Sequence, residues 1–112
     1  MERIPIKKIK ENIGKEVKIA GWVDTRRDMG KLIFIDVRDA SGKIQTVCLP
    51  NNKESNEVAS TLKNEWVVEI VGNVKKRPER MINKQIENGD VEMEIKSIIV
   101  INKSETPPFA IN

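Results

Sequence analysis

Branched aliphatics recur at every second position through several stretches of this chain, and that period leaves room for little except a β-sheet. In the first stretch Val17, Ile19, Gly21 and Val23 share one parity, and Lys18, Ala20, Trp22 and Asp24 share the other. A turn at Met29-Gly30 leads into residues 31–39, where Ile33, Ile35 and Val37 again fall on one side. Ser41-Gly42 then makes a tight turn into a third strand over residues 43–49.

Pro50, Asn51 and Asn52 interrupt the alternation. Residues 53–63, with Val58, Ala59 and Leu62 as a narrow apolar stripe, are expected to form one connecting helix. A fourth strand is expected over residues 66–77, with Val68, Ile70, Gly72 and Val74 inward. Residues 80–90 lack a period and contain Asn88-Gly89, which predicts a long loop. The fifth strand, residues 91–101, turns Val91, Met93 and Ile95 inward and Glu92, Glu94 and Lys96 outward. At the start, Ile6, Ile9 and Ile13 stand at near-helical spacing before Gly14, so a short amphipathic helical turn is expected there. Five strands with one helix between the third and the fourth make an all-β, five-stranded Greek-key barrel, the OB-fold. The helix would plug one open end, and the mid-strand Gly21 and Gly72 fit places where a small barrel coils tightly.

A chain of 112 residues suits one compact domain. It contains no histidine and one cysteine, Cys48, which excludes an intrachain disulfide, a cysteine metal cluster, histidine general bases and histidine-ligated zinc. The net charge of +3 permits a polyanionic partner without demanding one. No apolar run approaches the ~18 residues needed to cross a bilayer, and the opening MERIPIKKIK lacks a secretory pattern. Cytoplasmic residence and no membrane partner are the expectation.

Phe34 is the residue that parity singles out. It shares the outward face with Asp36 and Arg38, while Ile33, Ile35 and Val37 already supply the core. A ring on a polar face beside Arg26 and Arg27 suggests a stacking platform for a nucleobase. The alternative is a ring tucked under a loop. Arginine suits phosphate because its planar fork stays charged when desolvated, although both arginines could simply pair with Asp24 or Asp28. Lys75, Lys76 and Arg77 form a second basic cluster that could line the other side of a groove, or be a solvated face. Gln45, on the strand next to Phe34, carries a donor and an acceptor and could match a base edge. Glu92 could accept the adjacent N–H donors of guanine, or sit opposite a lysine as an ordinary surface residue. Trp22 and Trp66 are read as packing residues at the barrel ends. Asp36, Arg38 and Asp39 raise a carboxylate–metal nuclease as a rival, but strand alternation explains them without a metal.

Taken together, GWVDTRRDMGKLIFIDVRD, SGKIQTV, LKNEWVVEIVGNVKKRPE, the NGDVEME run and INKSETPPFAI resemble the N-terminal anticodon-binding domain of bacterial-type aspartyl-tRNA synthetases over essentially the whole chain. The resemblance implies an anticodon-binding domain over residues 1–106 and the start of a linker at 107–112. It implies aspartate tRNA as partner, gripped at an anticodon reading G (or its queuine-type derivative), U, C. Phe34 would stack on the central U, Gln45 would hydrogen-bond it, and Glu92 would read the first base. Arg27 and its neighbour Arg26 in the RRD motif, with Arg77 and Asn83, would hold bases and phosphates around the loop. Met81, Lys84 and Gln85 depart from the family pattern in the loop that carries Asn83, and Met29 lies where the family varies. A catalytic domain has no counterpart in these residues, so a fragment that binds but does not catalyse is expected, with no catalytic residue, metal or cofactor of its own. ATP and Mg are implied for the full-length enzyme, which would be a homodimer, with the isolated domain a monomer. A generic single-strand-binding OB protein is the rival reading.

Overall fold

In the computed structural model, which describes residues 1–103, the first strand, β1 (Glu16–Met29), is long enough to serve two neighbours. Its first half pairs antiparallel with β4 (Val67–Lys76), from Glu16↔Asn73 to Trp22↔Val67. Its second half pairs with β2 (Leu32–Asp39), from Trp22↔Arg38 to Met29↔Leu32. β2 continues to β3 (Gly42–Cys48), and β4 pairs with β5 (Val91–Asn102). A short parallel contact of β3 with β5, at Thr46↔Met93 and Val47↔Glu94, closes the barrel in the order β1-β2-β3-β5-β4. This is the expected five-stranded barrel, with α1 (Lys53–Ala59) between β3 and β4.

The parity argument holds on β2. Ile33, Ile35 and Val37 are buried, while Phe34, Asp36 and Arg38 are half-buried on the other face. Val17, Ile19, Val23, Ile44, Val68, Ile70, Val74, Val91, Met93 and Ile95 complete the inward set. Each such aliphatic contributes about 1.5–3 kcal/mol when fully buried. Gly21 and Gly72 are needed for close backbone approach: a Cβ would stand 2.3 Å from the carbonyl oxygen of Arg38 at the first and of Glu94 at the second. The β4–β5 register shifts between Val71 and Gly72, the place where the barrel coils.

Four expectations change. Ala20 and Val47 have outward parity but are buried; Val47 lies between Phe34 and Glu94, its cross-strand neighbours. The N-terminal turn is a 3-10 helix, Ile6–Asn12. Its three-residue repeat buries Ile6 and Ile9 and leaves Ile13 exposed, beyond the helix and before Gly14 at φ 86°. The connecting helix ends at Ala59 rather than at 63, although Leu62 still packs into the core. The loop over 80–90 begins with a 3-10 turn, Glu79–Met81. Trp66 packs against the core, as expected. The expected linker at 107–112 lies outside the described residues.

Candidate nucleic-acid interface

The outward residues of β1, β2, β3 and β5 form a connected polar row. Arg27 stands opposite Phe34 in the β1–β2 register, and its Cζ lies 5.7 Å from the ring centroid. Its Nη2 donates to Asp36 Oδ1 at 3.2 Å and to Gln45 Oε1 at 2.9 Å. Thr25 Oγ1 donates to the other oxygen of Asp36 at 2.9 Å. Gln45 Nε2 in turn reaches Glu92 Oε2 across β3–β5, a long bond at 3.4 Å. The register sets Lys75 opposite Glu92, yet its ammonium pairs with Glu94. Glu92 is therefore partnered by an amide rather than by a lysine.

Arg27, Gln45 and Arg77 line one pocket of about 310 Å³, together with Asp36, Lys43, Ile86 and Glu87. Arg77 follows β4, is mostly buried, and donates its Nε to the Val91 carbonyl at 3.0 Å. The polar groups here satisfy one another, and each bond is to a group that a nucleotide offers too: a phosphate or carbonyl oxygen for Arg27, an amide edge for Gln45, an N–H donor for Glu92.

Two of the expected site residues lie apart from this cluster. Arg26, next along β1, faces the other way. It donates to the carbonyls of Ser60 and Leu62, at 3.2 Å for the second, and its Nε lies 3.4 Å from Asp28. It thereby caps the chain just past α1. Asn83 belongs to the β4–β5 loop, where its Oδ1 accepts the Gln85 amide at 3.0 Å. It lines a second cavity, about 320 Å³, with Lys10, Ile86 and Asp90 among its walls. There a hydrogen bond from Lys10, 3.1 Å away, and its charge hold the Asp90 carboxyl below the ordinary range.

The basic cluster at 75–77 also divides, into a lysine paired on the sheet face, the exposed Lys76, and the buried Arg77. The nuclease rival loses its geometry. Asp36 is outward and held by Thr25 and Arg27, whereas the mostly buried Asp39 accepts the amides of Ile6, Ser41 and Gly42 at the β2–β3 turn. Cys48 is fully buried, and burial pushes its thiol up despite a hydrogen bond from Asn56. Lys43, Ile86 and Glu87 are the pocket residues that sequence reasoning did not name, the last two because the loop that carries them has no period.

The chain is similar to known proteins in sequence and in fold. It is 47% identical over 104 residues to the aspartate–tRNA(Asp/Asn) ligase of Natranaerobius thermophilus, covering 92% of this chain and 18% of that protein. It is 48% identical over 101 residues to the aspartate–tRNA ligase of Staphylococcus aureus strain Newman, covering 89% and 17%. The chain thus spans less than one fifth of the length of these relatives. Among solved structures, the asparaginyl-tRNA synthetase of Pyrococcus horikoshii in complex with asparaginyl-adenylate superposes with a TM-score of 0.77 at 32% identity, over 96% of this chain and 24% of that one. Residues 17–101, from the second residue of β1 almost to the end of β5, match the tRNA anticodon family, described as an OB-fold nucleic acid binding domain. By barrel topology and by this match over most of its length, the chain belongs to that family of OB-fold nucleic acid binding domains.

Proposed function

We propose that this chain is the anticodon-reading module of an aspartate–tRNA ligase and binds the anticodon loop of aspartate tRNA. The observation that carries the reading is the connected row in which Arg27 lies over Phe34 and reaches Gln45, which reaches Glu92. A ring, a cation, an amide and a carboxylate on one face match a central base to be stacked, its polar edge, and a neighbouring base with N–H donors. Phe34 contributes stacking, worth about 1–3 kcal/mol per base without regard to sequence. Gln45 and Glu92 supply the choice, and Arg27 and Arg77 take phosphates or base oxygens. Arg26 acts through the chain end of α1, and Asn83 acts from the loop. The relatives' names support aspartate as the amino acid. The whole ligase would use ATP and Mg, act as a homodimer and work in the cytoplasm, with this part binding tRNA and leaving catalysis to other residues.

The deciding experiment compares affinity for an anticodon stem-loop reading GUC with the same stem-loop carrying another base at the central position, at matched salt. A clear preference for U supports anticodon reading. Equal affinity would turn the assignment toward a generic single-strand binder, which uses the same ring and cations without the readers.

A further inference from the structure

The β4–β5 loop is fastened to β3 at one residue. Glu87 Oε2 accepts the Lys43 amide at 2.6 Å, and Asn88 Nδ2 donates to the Lys43 carbonyl at 2.7 Å. Two consecutive loop side chains thus take both backbone groups of a single strand residue. The reason lies in the barrel closure. β3 pairs with β5 through Thr46 and Val47, so at Lys43 the ladder with β5 has already ended. Backbone groups left there need partners, and Glu87 and Asn88 supply what a neighbouring strand would.

The surrounding residues accommodate this fastening. A Cβ on Gly42 would stand 2.2 Å from Glu87 Oε2, so a side chain at 42 would push the carboxylate off the Lys43 amide. Asn88 is mostly buried and sits at φ 54°, a left-handed conformation that asparagine tolerates better than most residues. The loop closes on itself where the Asn83 amide donates to the Gly89 carbonyl at 3.0 Å. Held this way, Ile86 and Glu87 line the 310 Å³ pocket with Arg27, Gln45 and Arg77. Ile86 remains 46% exposed although it is a large aliphatic. It is the apolar member of a wall that is otherwise charged or polar.

We propose that Glu87 and Asn88 are positioning residues that latch the β4–β5 loop to β3, so that Ile86 forms the apolar wall of a pocket for one unstacked base. The base, a neighbour of the central one assigned to Phe34 and Gln45, would lay a face on Ile86 and turn its polar edge toward Arg27 and Arg77. This inference rests on the anticodon reading above. It adds that the pocket is built before RNA arrives, so that binding need not order the loop.

The test uses the 112-residue chain and stem-loops reading GUC, intact or with one anticodon base replaced by an abasic ribose. Glu87→Ala should melt close to the wild type and let the Lys43 amide exchange with solvent about tenfold faster or more. It should bind the intact stem-loop about three- to tenfold more weakly, the effect of one lost hydrogen bond on loop position. That loss should vanish when one flanking anticodon base is abasic, and persist when the central base is abasic. Glu87→Gln keeps an oxygen that can accept the Lys43 amide and should restore both readouts. Gly42→Ala leaves the carboxylate intact but displaces it, and should reproduce Glu87→Ala. Wild-type affinity in both Glu87→Ala and Gly42→Ala overturns the latch, as does a loss that stays equal for every abasic stem-loop. A wild type blind to anticodon sequence overturns the anticodon reading instead, and the Lys43 exchange rate still decides whether Glu87 holds the loop.

Discussion

The β1–β2 ribbon carries two arginine–aromatic pairs on its outward face, and they do different work. Arg27 lies over Phe34 at 5.7 Å, and Arg38 lies over Trp22 at 5.3 Å; both are cross-strand neighbours. Arg38 is also gripped by both carboxylate oxygens of Glu65, and its Nε lies 3.4 Å from Asp24. Glu65 holds a left-handed backbone at φ 73° and donates its amide to the Val23 carbonyl at 2.7 Å. Asp24 is engaged again by Lys43 at 3.3 Å. The cation at Trp22 is therefore neutralised by two carboxylates and tied into the backbone. Arg27 has one carboxylate and one neutral amide, and that amide leads on to Glu92. A cation over a ring is worth about 0.5–1 kcal/mol when exposed, so the pair alone does not mark a binding face. What marks it is whether the partners can be exchanged for those of a ligand.

Phe34→Ala against Trp22→Ala separates the two pairs by the largest margin. Loss of Phe34 should weaken stem-loop binding about ten- to a hundredfold, in line with about 1–3 kcal/mol of stacking. Its melting temperature should move by less than about 4 °C, since Phe34 lies outside the buried core. Trp22→Ala should do the reverse: affinity within about twofold of wild type, with a loss of about 1–2 kcal/mol in stability from the ring contact and its buried area. Parallel melts and binding isotherms decide it. A large stability loss in Phe34→Ala would make the ring a core residue and break the comparison.

The sequence revealed one of these pairs more fully than the other, for a physical reason. Alternation is local, so Phe34 on the face opposite Ile33 and Ile35 was legible, as were the barrel and the place of its helix. What alternation cannot report is burial from across the sheet. Val47 is covered because Phe34 and Glu94 flank it, and Ala20 is likewise covered despite outward parity. Arg26 read as a twin of Arg27, but neighbouring residues on a strand face opposite sides, and its partners Ser60 and Leu62 are more than thirty residues away. The same contacts help to explain why α1 stops early, since Arg26 donates to carbonyls beyond its last turn. Trp22 reads as a packing residue at a barrel end, yet its ring lies on the outward face against Arg38, and nothing local announced the carboxylate clamp on that arginine. Glu87 and Ile86 escaped notice because a loop with no period returns to β3 across more than forty residues of chain.

Glu92 and Glu65 extend the comparison to the carboxylates. Guanine presents two adjacent N–H donors, which a carboxylate accepts together and a carboxamide cannot. Glu92→Gln should therefore reduce preference for guanine over adenine at the first anticodon position about tenfold, as expected for hydrogen bonds to a charged acceptor. The fold should be little affected, because Gln45 can still donate to the amide oxygen. Glu65→Gln should leave base preference intact and lower the melting temperature, because Arg38 loses its charged clamp. Unchanged guanine preference in Glu92→Gln, measured by competition between stem-loops, would remove Glu92 as a reader.

The smallest effect is the most direct measure of which arginine meets phosphate. Binding to single-stranded RNA weakens with salt at a log–log slope of about −0.7 per phosphate neutralised, because each contact releases condensed counterions. If Arg27 leaves Asp36 and Gln45 for the RNA backbone, Arg27→Gln should make the slope shallower by about that amount. Were Arg27 to meet a base edge instead, affinity would fall and the slope would stay. Arg38→Gln should leave the slope at its wild-type value, because its charge is already spent on Glu65 and Asp24. Affinities across a salt series, with stem and loop lengths fixed, separate these outcomes. Equal slope changes in the two variants would mean that both arginines face RNA, and the distinction between an exchangeable and a committed cation would fail.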